Sequence, residues 1–201
     1  MKYIIQIGSG KGCDHVTEII KSNSEKYINF FVEPNPYIFE KLKNNYKKIS
    51  NNCNFYNTAI STKNGKIEIH FNDIEGITSD SAQSSFNLDH VLKHGHKLEN
   101  ITTLNVKCSD LNTFLNENNL NEKEIEYLFI DTEGHDCDII LSTNFSNLNI
   151  ENIYFEKLHT DGPFNQGEKF NKTKNYLTSI GYEYKGESKI SEYDVHFKKH
   201  Q

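Results

Sequence analysis

The chain has 201 residues and a net charge of −6, with 22 basic residues against 28 acidic ones. That length suits one domain with a single substantial core, and the acidic balance offers no basic face for general nucleic-acid binding. Every basic residue is Lys; bidentate guanidinium clamps are therefore excluded, and anions must be held by backbone N–H groups, helix N-termini, hydroxyls or Lys.

In chain order, residues 2–7 predict a strand, residues 8–12 a glycine-rich loop, and Val16, Ile19 and Ile20 the apolar stripe of a helix. A second strand over 27–33 ends in Glu33. Pro34 and Pro36 then open a helix carrying Ile38, Phe39, Leu42 and Tyr46, because proline fits a helix's first turn. Residues 55–60 read as a third strand. The 66–71 stretch alternates with period two behind Asn64 and Gly65, a hairpin turn signal. Residues 72–100 show no sustained periodicity; a loop that long in a compact domain is usually functional, and a lid or acceptor-binding segment is expected there.

Beyond it come a strand at 101–107, a helix near 109–118, a strand at 126–131 and a helix at about 135–142. A strand at 150–156 and a helix at 167–179 follow. Two closing strands near 181–186 and 193–198 should pair antiparallel at one sheet edge. This alternation predicts an α/β fold, a doubly wound and mostly parallel sheet with helices on both faces and right-handed crossovers, formed by residues 1–201 as one domain.

The four cysteines, Cys13, Cys53, Cys108 and Cys137, are far apart and read as reduced thiols. The start of the chain lacks the pattern of a signal peptide, and no apolar run is long enough to span a membrane. A cytoplasmic protein without membrane or nucleic-acid partners is expected.

The segment EYLFIDTEGH at 126–135 carries the most chemical information. A buried strand ends there in Asp131, Glu133 and His135, and the carboxyl ends of parallel strands are where α/β proteins place ligands. The glycine loop at 8–12 brings backbone close to a ligand at a helix start. Glu33, on the neighbouring strand end, is placed to accept hydrogen bonds from a ribose diol. These features suit a dinucleotide or S-adenosylmethionine. The dinucleotide pattern wants its third glycine at position 13, which is Cys13; the pattern present is G-x-G-x-G. S-adenosylmethionine is therefore favoured, with an NAD-dependent oxidoreductase, or a cofactor-binding partner subunit without catalysis, as alternatives.

IQIGSGKG at 5–12, FVEPNP at 31–36 with Phe39 and Leu42, NTAIS at 57–61, Asn64 with Gly65, Ser84 with Ser85, and IDTEGHD at 130–136 occur in the order seen in FkbM-type methyltransferases, which the chain resembles over roughly residues 3–160. The resemblance implies a seven-stranded Rossmann-like class I fold and S-adenosylmethionine-dependent O-methylation of a hydroxyl, most often on a sugar or glycan. It implies cofactor contacts at Gln6, Gly8, Ser9, Gly10, Gly12, Glu33, Pro34, Asn57, Ala59 and Asp131. Many class I enzymes carry an acid where this chain has Gln6, a variation that looks compatible with the family. The expected partner is a small-molecule or saccharide acceptor, and a homodimer is allowed for.

Methyl transfer to an alcohol needs a proton acceptor. Asp131, Glu133, His135, Glu156 and His159 are the catalytic candidates, with His135 or His159 as base and Asp131 as orienting acid. The same acids could hold a divalent metal, but no metal ligand is assigned. His90, His94 and His96 lack Cys or acidic companions at ligand spacing and read as solvent-facing.

Overall fold

A computed structural model describes residues 1–72, 84–188 and 193–200. The chain runs β1 (Lys2–Ile7), α1 (His15–Ser22), β2 (Tyr27–Val32), α2 (Pro36–Tyr46), β3 (Cys53–Tyr56), β4 (Ala59–Ser61), β5 (Gly65–Asn72) and β6 (Ser84–Ser85). It continues with α3 (Leu88–Lys93), β7 (Ile101–Asp110), α4 (Leu111–Glu117), β8 (Ile125–Ile130), α5 (Asp136–Ser142), β9 (Ile150–Glu156), α6 (Glu168–Ser179), β10 (Tyr182–Glu187) and β11 (Asp194–Lys199).

Seven strands form the main sheet in the order β10-β11-β9-β8-β1-β2-β3. The pairs from β9 through β3 are parallel, and β11 runs antiparallel to both of its neighbours. The expected mostly parallel sheet with a terminal antiparallel pair is present. Successive residues of its central strands point to opposite faces, as the pleat requires. Ile5, Ile7, Phe30, Val32, Leu128 and Ile130 enter one apolar cluster with the side chains of α4, α5 and α6. Ile4, Phe31 and Phe129 enter the other, with Val16 and Ile20 of α1 and Leu42 and Tyr46 of α2. Both faces are thus covered, which explains why these strands carry apolar residues on both sides rather than alternating with polar ones.

Local chemistry fixes the helices that begin at the sheet's carboxyl edge. Asp14 caps α1, its Oδ1 accepting from Val16 N and Thr17 N, while the Thr17 hydroxyl accepts from Asp14 N. Asn35 caps α2 and Pro36 takes its first turn.

The middle of the chain departs from expectation. Residues 55–60 are not one strand: β3 pairs with β2 in the main sheet, whereas β4 belongs to a second sheet of order β4-β7-β5-β6. The strand expected at 101–107 lies in this second sheet, between β4 and β5. Asn64 and Gly65 therefore do not close a hairpin. The Asn64 side chain instead reaches Asp110, donating from Nδ2 to its Oδ2 at 2.7 Å and accepting from its backbone N–H at 2.9 Å. Of the expected 72–100 loop, residues 73–83 lie outside the described residues, and the remainder is not featureless: it contains β6, α3 and a 3-10 turn at Leu98–Asn100. Among the described residues no helix is long and apolar enough to cross a membrane.

Candidate active site

Four loops leave the carboxyl edge of the main sheet where strand order reverses between β1 and β8, the place where open α/β sheets bind ligands. After β1 the chain turns at Gly8 with φ +73°, and a Cβ there would lie 1.7 Å from the carbonyl oxygen of Asp131. Glycine is required because the backbone of Asp131, just past the end of neighbouring β8, abuts it. Ser9 binds the loop to β2, its hydroxyl donating to Gln6 O at 2.9 Å and accepting from Val32 N at 3.1 Å. Gly12 packs on the Tyr46 ring. Both residues shape the loop from behind.

Glu33 follows β2 and is buried. Its Oε2 accepts from Gly10 N at 2.9 Å and its Oε1 from Asn35 N at 2.8 Å. Asn57 braces this corner, donating to Glu33 O and Pro34 O at 2.9 and 3.1 Å. Burial pushes the Glu33 carboxyl up to about 7, although the two backbone donors pull the other way.

Two cavities open here. The first, about 530 Å³, lies among Gly8, Gly10, Glu33, Pro34 and Ala59 on the sheet side and Ser84, Phe86, His94 and His96 on the other. That volume is within the range of cofactor sites. The second, about 450 Å³, is lined by Gln6, Asp14, Glu156, His159 and Asp194, with Tyr154, Phe164 and Tyr193 around them. Asp131, Glu133 and His94 line both and mark the junction.

The junction and second cavity are strongly acidic. Asp131 is exposed to the cavities it lines. Its carboxyl is pushed well above the usual range by desolvation within the crevice and then by Glu133, Asp136, Glu156 and Asp194. Glu156 rises to about 8, through burial first and its acidic neighbours second. Asp194 rises through burial. Gln6 donates from Nε2 to Asp14 Oδ2 at 2.7 Å, while its Oε1 is buried without a hydrogen-bond partner. Asp14 thus sets a carboxylate directly beside Gln6.

Residues 131–136 are held in an unusual conformation. Glu133 has φ +54°, a region costly for any residue with a side chain and typical of functional loops. The Ser85 hydroxyl donates to its carbonyl at 2.9 Å, and its Oε2 lies 2.8 Å from His90 Nε2. Gly134 lets this loop abut the 157–161 segment, since a Cβ there would approach His159 O to 3.1 Å. His159 Nδ1 accepts from Phe164 N at 2.9 Å, and burial holds its imidazole down at about 4.

The structure thus gathers Gly8, Gly10, Glu33, Pro34, Ala59, Asp131 and Glu133 around the first cavity, and Gln6, Asp131, Glu133, Glu156 and His159 around the second. Ser9, Gly12, Asn57 and His135 line neither. The His135 ring faces Ser61 Oγ at 3.3 Å, Asp138 Oδ2 at 3.4 Å and the edge of Phe86. Sequence reasoning missed Asp14, whose signal was its place as the first helix cap after the glycine loop. It also missed Asp194, which reaches the site only because β11 pairs with β9 in a register that sets Asp194 opposite Glu156.

A family model, the methyltransferase FkbM domain, matches residues 6–184. The chain belongs to the FkbM methyltransferase family. Two solved structures share the fold of this FkbM family member. One is the FkbM methyltransferase from Methylobacillus flagellatus KT, 9% identical with a TM-score of 0.59 over 99% of this chain and 43% of that one. The other is a precorrin-6y C5,15-methyltransferase from Geobacter metallireducens GS-15, 14% identical with a TM-score of 0.51 over 98% of this chain and 81% of that one. The chain spans less than half the length of the Methylobacillus protein. No curated protein matches the sequence.

Proposed function

We propose that the protein is an S-adenosylmethionine-dependent O-methyltransferase acting on a hydroxyl of a sugar or glycan. The observation that carries this reading is the charge of the crevice. S-adenosylmethionine is cationic at its sulfonium and its ammonium; the junction beside the glycine loop carries Asp131 and Glu133, with Glu156 and Asp194 in the adjoining cavity, and because burial and then mutual repulsion raise the Asp131 and Glu156 carboxyls, a bound cation favours their ionised forms. The pyrophosphate of NAD would bring further negative charge to the same place. The residues also fit the cofactor piece by piece. Glu33 keeps lone pairs for a ribose diol after its two backbone bonds. The unpartnered Gln6 Oε1, beside Asp14, suits an ammonium.

When bound, the cofactor supplies an electrophilic methyl group on sulfur. The chain must align an oxygen with it and take the hydroxyl proton. Approximation lowers such barriers by several kcal/mol, and a positioned base adds about 10²–10⁴-fold. Because His159 Nδ1 accepts the Phe164 N–H, the neutral ring carries its proton on Nε2 and has no lone pair left for the hydroxyl. In this reading Glu156 is the proton acceptor once the cationic cofactor favours its ionised form, and His159 Nε2 lies 3.6 Å from it. The mix of Tyr154, Phe164 and Tyr193 with Glu156 and Asp194 suits a saccharide: flat apolar faces for the ring, carboxylates for its hydroxyls.

Calorimetry with S-adenosylmethionine and with NAD, followed by mass spectrometry of a saccharide panel for a gain of one methyl group, tests the reading. Binding of NAD but not of the sulfonium would reverse it.

A further inference from the structure

We propose that His90, His94 and Glu133, joined by His159, form a binding site for a divalent first-row transition metal, zinc being the representative ion. Each offers one ligand atom, and the four atoms lie within 4.8 Å of one another. The inner three are closer: His90 Nε2 is 2.8 Å from Glu133 Oε2 and 3.2 Å from His94 Nε2. Zinc–nitrogen and zinc–oxygen bonds of about 2.0–2.2 Å in a tetrahedron put neighbouring ligand atoms roughly 3.3 Å apart, so the 2.8 and 3.2 Å spacings, now of hydrogen-bond length, lie close to what one ion would impose after a small adjustment.

Protons satisfy the arrangement poorly. If His90 Nε2 carries a hydrogen, that single hydrogen must be shared between the Glu133 carboxylate and a bare His94 Nε2. If it carries none, it can accept from His94 but turns a lone pair on the Glu133 carboxylate. A cation between them serves all three contacts together. His90 is buried, so the conflict is not relieved by water. Three rings also crowd together, with His90 and His159 centroids 4.4 Å apart and His90 and His94 4.7 Å apart. His159 is the weakest ligand of the set, because its Nδ1 is committed to Phe164 and binding through Nε2 requires that bond to give way.

The fold invests in the placement. His90 and His94 sit one turn apart at α3, capped by Asn87. Glu133 is held at positive φ, with the Ser85 hydroxyl on its carbonyl. Gly134 admits the backbone of His159. His96, the third histidine of the sequence cluster, lines the first cavity and is not part of the group. His94 and Glu133 border both cavities, so an ion there faces an acceptor as well as the cofactor. Lowering the pKa of a bound alcohol is the chemistry such an ion offers; that consequence rests on the methyl-transfer reading, whereas the site itself does not.

The test uses the full chain stripped with chelator and titrated with zinc by calorimetry, then with cobalt while its visible spectrum is recorded. One equivalent per chain is expected, with the intense cobalt bands of a four-coordinate site. His94→Ala and Glu133→Gln should each weaken zinc by at least about tenfold, the lower bound for losing even an outer-shell partner. His70→Ala, whose ring bonds Thr103, should not. The cobalt spectrum of the unsubstituted chain decides the matter even if a variant fails to fold. Substoichiometric uptake, a six-coordinate aquo-type spectrum, or zinc affinity unchanged in both folded variants overturns the site. S-adenosylmethionine binding, measured in parallel on the stripped chain, reports on the functional reading separately.

Discussion

Glu33 gives the sharpest quantitative expectation. Its carboxyl rises from 4.5 to about 7 because it is buried, with only the Gly10 and Asn35 N–H groups to favour the charge. At 1.36 kcal/mol per unit, the folded chain bears a cost of about 3 kcal/mol when this group is ionised. The sign follows from proton counting. Between 4.5 and 7 the folded state holds the proton more tightly than the unfolded one, so stability falls as pH rises through that window. The cost is absent below 4.5 and complete above 7. Glu33→Gln removes the titration, and its own loss of one backbone partner is the same at every pH. Urea unfolding of both proteins from pH 4.5 to 8 should therefore show wild type losing about 3 kcal/mol relative to the variant. Under the S-adenosylmethionine reading, a ribose diol prefers the ionised acceptor, and wild-type affinity should fall up to tenfold per pH unit below 7 relative to Glu33→Gln. The comparison removes the titration of the other carboxylates of the crevice. Parallel stability curves would refute the account of a strained buried acid, and parallel affinity curves would refute its contact with the cofactor.

Gly8→Ala places a methyl 1.7 Å from a backbone oxygen, which no side-chain movement can relieve; a loss above about 4 kcal/mol is expected, among the largest for a point change, and near-wild-type denaturation would contradict the close approach of the Asp131 backbone. Glu156→Gln should lower kcat by about 10²–10⁴ while leaving cofactor affinity within a few-fold, whereas His135→Ala should keep most turnover because its ring points to Ser61 and Asp138. Equal turnover losses in the two variants would return the base to His135. Asp14→Ala removes the α1 cap and the partner of Gln6 together; a stability loss of about 1 kcal/mol in urea and weaker S-adenosylmethionine binding should appear jointly, and stability loss alone would confine Asp14 to capping.

Local periodicity carried the main sheet. Apolar runs at 2–7, 27–33, 126–131 and 150–156, short and bounded by turn signals, read as buried strands, helical stripes separated them, and the rule that ligands sit at strand carboxyl ends then pointed to Gly8, Glu33, Asp131 and Glu156 without any coordinates. Those residues sit where their own strands end and line the two cavities, so nearest-neighbour information was enough. Pairing is different. The alternation at 66–71 and 101–107 is equally consistent with either sheet, and only the tertiary structure assigned both strands, with Ala59–Ser61, to a second one. Likewise, His90 and His94 looked solitary because their companions, Glu133 and His159, lie 39 or more residues away along the chain and meet them only through the packing of α3 over two loops. Asp194 joined the crevice by strand register, and His135 left it by the direction of one ring. What a segment does to itself is written in its own residues; which distant segment it touches is decided by how the closed fold packs.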